Sequence, residues 1–160
     1  MDNKISCSNN HILVGLGGTG GKILRAFKMR MFEEFPTQEE RAKQPVSLLY
    51  VDSTDEMMPQ DGKARADFRV MGQDASFTQN EFLNIKAVDV EHILDHIGNY
   101  PSVKGIVNNV GAVKSAIGSL GQAAGQKRRA GRLLFAAIAV GFVNSLRDAY
   151  HRCEEVSGSA

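Results

Sequence analysis

The chain is predicted to be an α/β domain built on a Rossmann-like parallel sheet flanked by helices. Three observations predict it. An aliphatic stretch, His11-Ile12-Leu13-Val14, runs into five glycines within positions 15–21, and apolar residues at helical spacing come next. A second run, Pro45-Val46-Ser47-Leu48-Leu49-Tyr50-Val51-Asp52, is almost continuously apolar, the pattern of a central parallel strand covered on both faces. A long apolar-periodic stretch reaching Glu155 supplies a covering helix.

Taken in order, residues 1–10 are polar and read as a flexible N-terminus. A buried strand is expected over residues 11–16 and a helix over 20–35, where Ile23, Leu24, Phe27 and Phe32 recur beside Lys22, Arg25, Lys28 and Arg30. Pro36 and the polar run 37–44 connect to the second strand, with a short helical turn at Glu39-Glu40-Arg41. That strand, 45–52, ends in Asp52-Ser53-Thr54-Asp55-Glu56. Ligands of doubly wound sheets bind outside the carboxyl ends of the strands, so the glycine stretch and this acidic cluster should share one rim. Residues 57–66 read as a loop, 68–71 as a short strand, and 84–88 fit neither helix nor strand clearly. Val90–Ile97 reads as a helix with Asp89 as N-cap and Gly98 past its end. From Tyr100-Pro101 to Gly118 no period is dependable, and a connection of that length points to unread elements or a ligand loop. One long helix is expected from 125 or 126 to 155, largely buried through its middle. Gly131 and Gly141 are expected to permit close helix packing. Residues 157–160 read as a flexible tail, leaving 11–156 as the domain; no internal repeat is present.

Composition narrows the classes. The 160 residues suffice for one domain with a core. A formal net charge of +1 gives no electrostatic case for nucleic acid or an anionic membrane. Cys7 and Cys153 stand far apart with no CxxC spacing, which argues for a reducing compartment and against a disulfide framework. The polar N-terminus lacks a signal-peptide core, and the longest apolar run, 133–143, falls short of the roughly 20 residues a bilayer span needs. A soluble cytoplasmic protein without a membrane span is the expectation.

Strand, glycine turn and helix make the form of a phosphate-binding βα turn. Glycines let backbone approach a ligand closely, and the helix behind them aims unsatisfied N–H groups at an anion. Gly15-Leu16-Gly17-Gly18-Thr19-Gly20 satisfies the dinucleotide fingerprint G-x-G-x-x-G in its expected place. The Walker A motif fails twice: Leu16 stands where its first glycine belongs, and Ile23 comes after Lys22 where Ser or Thr is required. A second glycine-rich entry to a helix, Gly121-Gln122-Ala123-Ala124-Gly125-Gln126, precedes four cations, Lys127, Arg128, Arg129 and Arg132.

These parts resemble the nucleotide-binding half of the tubulin/FtsZ GTPase superfamily, more closely its bacterial tubulin-like branch. Gly15-Leu16-Gly17-Gly18-Thr19-Gly20-Gly21 looks like the first phosphate loop of that superfamily. Val51-Asp52-Ser53-Thr54-Asp55 is similar to the acidic loop after its second strand, and Ala124-Gly125-Gln126 stands where an Ala-Gly-Asn-like loop covers the terminal phosphate. Order and spacing over most of the chain carry the resemblance. The superfamily's later Gly-Gly-Gly-Thr-Gly-(Ser/Thr)-Gly loop and guanine-gripping region are absent from these 160 residues, so the chain is expected to correspond to the N-terminal part of a tubulin/FtsZ-type nucleotide-binding domain. The resemblance implies GTP/GDP and Mg²⁺ as ligands and assembly of subunits. It implies hydrolysis only in the assembled full domain, and little or none by this chain alone. The residues expected to bind nucleotide, on the resemblance and on their own chemistry together, are Gly15, Gly17, Gly18, Thr19, Gly20, Gly21, Lys22, Asp52, Ser53, Asp55, Ala124, Gly125 and Gln126, with Asp52 and Asp55 near the metal.

Each constellation also has a plainer reading. Lys22 either adds a cation to the phosphate site or is a solvated first-turn residue. Asp52 and Asp55 either organise a Mg²⁺ through water or simply form a turn. Lys127, Arg128, Arg129 and Arg132 read first as a solvated helix face, second as a γ-phosphate clamp or subunit contact. His92 and His96 share a helix face at zinc-compatible spacing without a third ligand. Two other functions stay open: an NAD(P)-binding oxidoreductase domain, and a non-catalytic interaction module whose sheet a partner completes. The first is weakened because Asp52 lies 32 residues beyond Gly20, against the roughly 20 of the dinucleotide motif. The second predicts association through an open sheet edge.

Overall fold

The computed structural model describes residues 9–61, 63, 65–85, 89–117 and 128–158. Strand β1 (His11–Leu16) passes directly into helix α1 (Gly17–Glu34). The short α2 (Gln38–Ala42) is held by a capping box, in which the Thr37 side chain accepts from the Glu40 N–H and the Glu40 side chain accepts from the Thr37 N–H. Strand β2 (Val46–Asp52) comes next. A two-residue hairpin joins β3 (Arg69–Val70) to β4 (Gln73–Asp74). Its turn residues, Met71 at φ 50° and Gly72 at φ 81°, both take the left-handed conformation that a tight hairpin twist requires. Then come β5 (Phe82–Asn84), α3 (Val90–Asp95), α4 (Pro101–Lys104), α5 (Val110–Ile117), α6 (Arg128–Ala137) and α7 (Ala139–Ser157).

The main sheet is parallel, in the order β1-β2-β5. The α/β expectation therefore holds, with α1 on one face and α7 on the other. Alternation along β2 explains why its sequence is apolar throughout. Leu48 and Tyr50 join Leu24 of α1, Met57, Met58, Phe68 and Phe77 in one core cluster. Ser47, on the opposite face, meets Cys153 of α7, whose thiol donates to the Ser47 hydroxyl at 3.3 Å. In a second cluster the buried members are all helical, with Val90, Ile93 and Leu94 of α3, Val103 of α4, and Leu133 and Leu134 of α6 packed together.

Several expectations are corrected. Helix α1 starts at Gly17, three positions early, because Gly17 alone makes the turn at φ 67° and the next glycines are already helical. Among the described residues β1 lies at the edge of the sheet, and Val14 and Leu16 are exposed instead of buried. The third strand is β5, which ends where the ambiguous segment begins; within that segment, 86–88 lie outside the described residues. The segment from Tyr100 contains α4 and α5, two elements without a dependable sequence period. Asp89 caps α3 as expected, accepting from the His92 N–H at 2.9 Å, but the helix ends at Asp95 and Gly98 lies in a following 3₁₀ turn. The single long helix is two, α6 and α7, separated at Ile138 (φ −97°, ψ 6°). The bend lets Leu133 and Leu134 serve the helical cluster while Ala149 and Cys153 serve the sheet. It also leaves Val140 and Val143 exposed, and Gly141 faces open space, permitting no close packing. Among the described residues no helix is long and apolar enough to cross a membrane.

Candidate functional site

Register decides what meets at the carboxyl rim. Leu16 pairs with Val51, and Asp52 pairs with Asn84, so β1, β2 and β5 all end at one level. The turn into α1 and the acidic segment after β2 leave the sheet side by side. The Glu56 carboxylate comes within 3.8 Å of where a Cβ on Gly18 would sit.

The glycines divide by task. A Cβ on Gly20 would stand 2.6 Å from the Gly15 carbonyl carbon, so strand and helix touch backbone to backbone there. A Cβ on Gly21 would stand 2.6 Å from the Tyr50 ring. Gly15, Gly20 and Gly21 thus let α1 lie directly on the sheet, and Gly17 makes the turn. Gly18 meets only Glu56, and Thr19 and Lys22 are exposed. Of the stretch expected to face a ligand, Thr19 and Lys22 are exposed, and the half-buried Gly17 and Gly18 leave room for an added group.

The N-terminus of α1 carries no cap. Its N-cap residue is Leu16, which is exposed and makes no side-chain cap hydrogen bond, and no acidic residue stands in the first turn. The first N–H groups of a helix have no intrahelical acceptor, and the helix dipole leaves that end positive. Such an end attracts an anion.

Asp52 is buried, and its oxygens are committed. Oδ2 accepts from the Tyr50 hydroxyl at 2.5 Å, and Oδ1 accepts from the N–H groups of Ser53 (2.6 Å) and Thr54 (3.3 Å). Asp52 shapes the acidic loop from within, whereas Asp55 and Glu56 are exposed. Met57 and Met58 sink into the core and anchor the loop. Arg65 donates to the Glu56 carbonyl and pairs with Asp67, which also receives Arg25 of α1 at 2.7 Å. The Arg65 hydrogen bond, then the charges of Arg65 and Arg25, hold the Asp67 carboxyl below its ordinary value.

The sequence marks Tyr50 only as a strand residue, yet it sits at the centre of this rim. A signal exists: residues two apart on a strand share a face, which sets Tyr50 beside Asp52. Burial first, then the Asp52 carboxylate, push its phenol well above the ordinary value of 10. A raised folded value gives stability that is fully present below pH 10 and declines as pH rises toward that value, because the unfolded chain releases the proton first. The urea midpoint of the wild type should therefore fall more steeply above pH 10 than that of Tyr50→Phe.

Other expected residues are not brought to the rim. Ala124, Gly125, Gln126 and Lys127 lie outside the described residues, as do Cys7 and the side chains of Arg128 and Arg129; Arg132 is exposed. The rings of His92 and His96 lie 4.3 Å apart, tilted by 31°, and His96 Nδ1 meets the His92 carbonyl at 3.0 Å. Among the described residues, no three His, Cys, Asp or Glu side chains are grouped to hold a metal ion.

A family model described as "Tubulin like" matches residues 12–159. No curated protein and no solved structure matches the chain significantly.

Proposed function

We propose, from the premise that the chain belongs to the tubulin-like family, that its α1 N-terminus and acidic loop bind the phosphates of GTP or GDP. The observation that carries this reading is the uncapped start of α1 at the carboxyl rim of a parallel sheet, with Gly18 open to an incoming group. Backbone N–H groups of residues 17–20 serve as donors, and Lys22 adds a cation within reach of the first turn. Ala124, Gly125 and Gln126 are proposed to close over the terminal phosphate.

The acidic loop sets the ion requirement. A polyphosphate at Gly18 meets the carboxylates of Glu56 and Asp55, which repel it. A hard divalent cation between them converts repulsion to attraction, since Mg²⁺ takes carboxylate, phosphate and water oxygens together. Asp52 contributes by shaping the loop, with Asp55 as the carboxylate facing the ion's water shell. Self-association belongs to the same reading, because β1 has no further strand beside it among the described residues, and the exposed Leu16, Ile23, Val140 and Val143 offer apolar surface.

Calorimetry with GTP, ATP and NADH, each with and without Mg²⁺, tests the proposal. GTP binding strengthened by Mg²⁺ is expected. Gly18→Val should weaken it at least about tenfold, the cost of roughly one lost charge-assisted hydrogen bond, with the far-ultraviolet spectrum unchanged. Binding of NADH in preference to GTP would replace this reading with the dinucleotide one, and silence with all three would sink it. Sedimentation velocity with and without GTP tests assembly; a monomer under both conditions would remove self-association.

A further inference from the structure

We propose that Tyr50 is a positioning residue that locks the glycine turn and the acidic loop into one rigid unit. Its ring has no exposed surface and is clamped by Phe77 and Phe82, whose centroids lie 5.4 and 5.2 Å away. One edge of the ring supports Gly21, so closely that even a methyl group there would collide with it. The hydroxyl at the tip of the side chain donates to Asp52, and Asp52 in turn accepts from the N–H groups of Ser53 and Thr54. An unbroken series of contacts therefore runs from α1, through one aromatic side chain, to the backbone of residues 53–54.

A phenylalanine would keep the ring and lose the tie. Burial makes the hydroxyl matter, because a buried carboxylate oxygen that loses its donor is left without water to replace it. The acidic loop would then be held by Met57, Met58 and the Arg65 contacts but would have no fixed relation to the helix start. The consequence for ligand affinity rests on the nucleotide reading above; the coupling between the two segments does not.

Amide hydrogen exchange on the ligand-free protein, paired with GTP calorimetry, tests the proposal with Tyr50→Phe, Asp52→Asn and the double variant. In Tyr50→Phe the Ser53 and Thr54 amides should exchange about tenfold faster, as the loss of one charge-assisted hydrogen bond implies. Amides in α7 should be unchanged. GTP affinity should fall severalfold, and the gain from Mg²⁺ should shrink. The double variant should resemble Asp52→Asn alone, because Tyr50 acts through Asp52. Unchanged exchange at Ser53 and Thr54 in Tyr50→Phe, or effects that simply add, would overturn the proposal. Should Tyr50→Phe fail to fold, Gly21→Ala gives the second reading: its methyl displaces the ring and should speed exchange at Ser53 and Thr54, and no change there would count equally against the coupling. A wild type that binds no nucleotide removes the nucleotide reading alone, with the exchange data still deciding the coupling.

Discussion

Gly20→Ala is expected to lower stability by about 2 kcal/mol, while Gly18→Ala, two residues away on the same helix, should be neutral or slightly stabilising. Both replacements relieve the poor helix propensity of glycine, a gain of up to about 1 kcal/mol. At Gly20 the new methyl would stand 2.6 Å from the carbonyl carbon and 2.8 Å from the Cα of Gly15. Backbone cannot rotate away as a side chain can, so α1 must lift from β1, and overpacking of this kind costs about 1–3 kcal/mol, occasionally more. At Gly18 the nearest atom is a Glu56 oxygen at 3.8 Å, an ordinary contact. Thermal melts should separate the two readily, since 1 kcal/mol moves the midpoint by about 2–4 °C in a chain of this size. Equal midpoints for the two variants would mean that α1 does not lie on β1 as described.

Lys28→Ala should cost about 2–3 kcal/mol, between the small loss at a surface bridge and the loss at a fully buried pair, because the Glu81 side chain keeps 18% of its surface exposed. Lys28 sits on α1 with 9% of its surface exposed. Its ammonium donates to Glu81 Oε2 at 2.6 Å and to the Ser76 carbonyl at 2.7 Å, beside the Phe77 ring. Glu81 also accepts from the Thr78 N–H and hydroxyl, which keeps the loss from reaching the upper end. Replacing both partners, as Lys28→Met with Glu81→Gln, should recover a large part of the stability, because no uncompensated charge stays buried. Urea titrations of the two single variants and the pair complete a double-mutant cycle. A Lys28→Ala loss below about 1 kcal/mol would place the pair in the class of surface bridges. The pair is relevant to the site because it fixes the segment leading into β5, the third strand of the rim.

The parts of the fold legible in the chain alone are those whose signals are local. β1 and β2 are visible as apolar runs, α1 as a 3.6-residue periodicity behind glycines (though not its start at Gly17), and the Asp89 cap as an Asp before an apolar helix. β5 is not visible, because three residues contain too little of a two-residue period to distinguish strand from loop. α4 and α5 are hidden for the same reason, their turns being too short to establish a face. The break at Ile138 has no Pro or Gly at its position; it exists because the residues before and after it pack against different cores.

The candidate site divides along the same line. That a glycine turn opening a helix lies beside an acidic loop is legible from sequence alone, since glycines, a helix behind them and carboxylates after a parallel strand are each chemical statements made within a few residues. The resemblance points to the family by the order of such segments, and the family match bears that out over residues 12–159. Tertiary structure decided which residue of each segment is available. It put Gly20 and Gly21 against the sheet and left Gly18 open, and it turned the Asp52 carboxylate inward to Tyr50 while Asp55 and Glu56 remained outside. Those outcomes depend on how α1 seats against β2 and the loop after it, segments far apart in the chain. Local chemistry names the groups a site can use, but only packing determines which of them are already occupied.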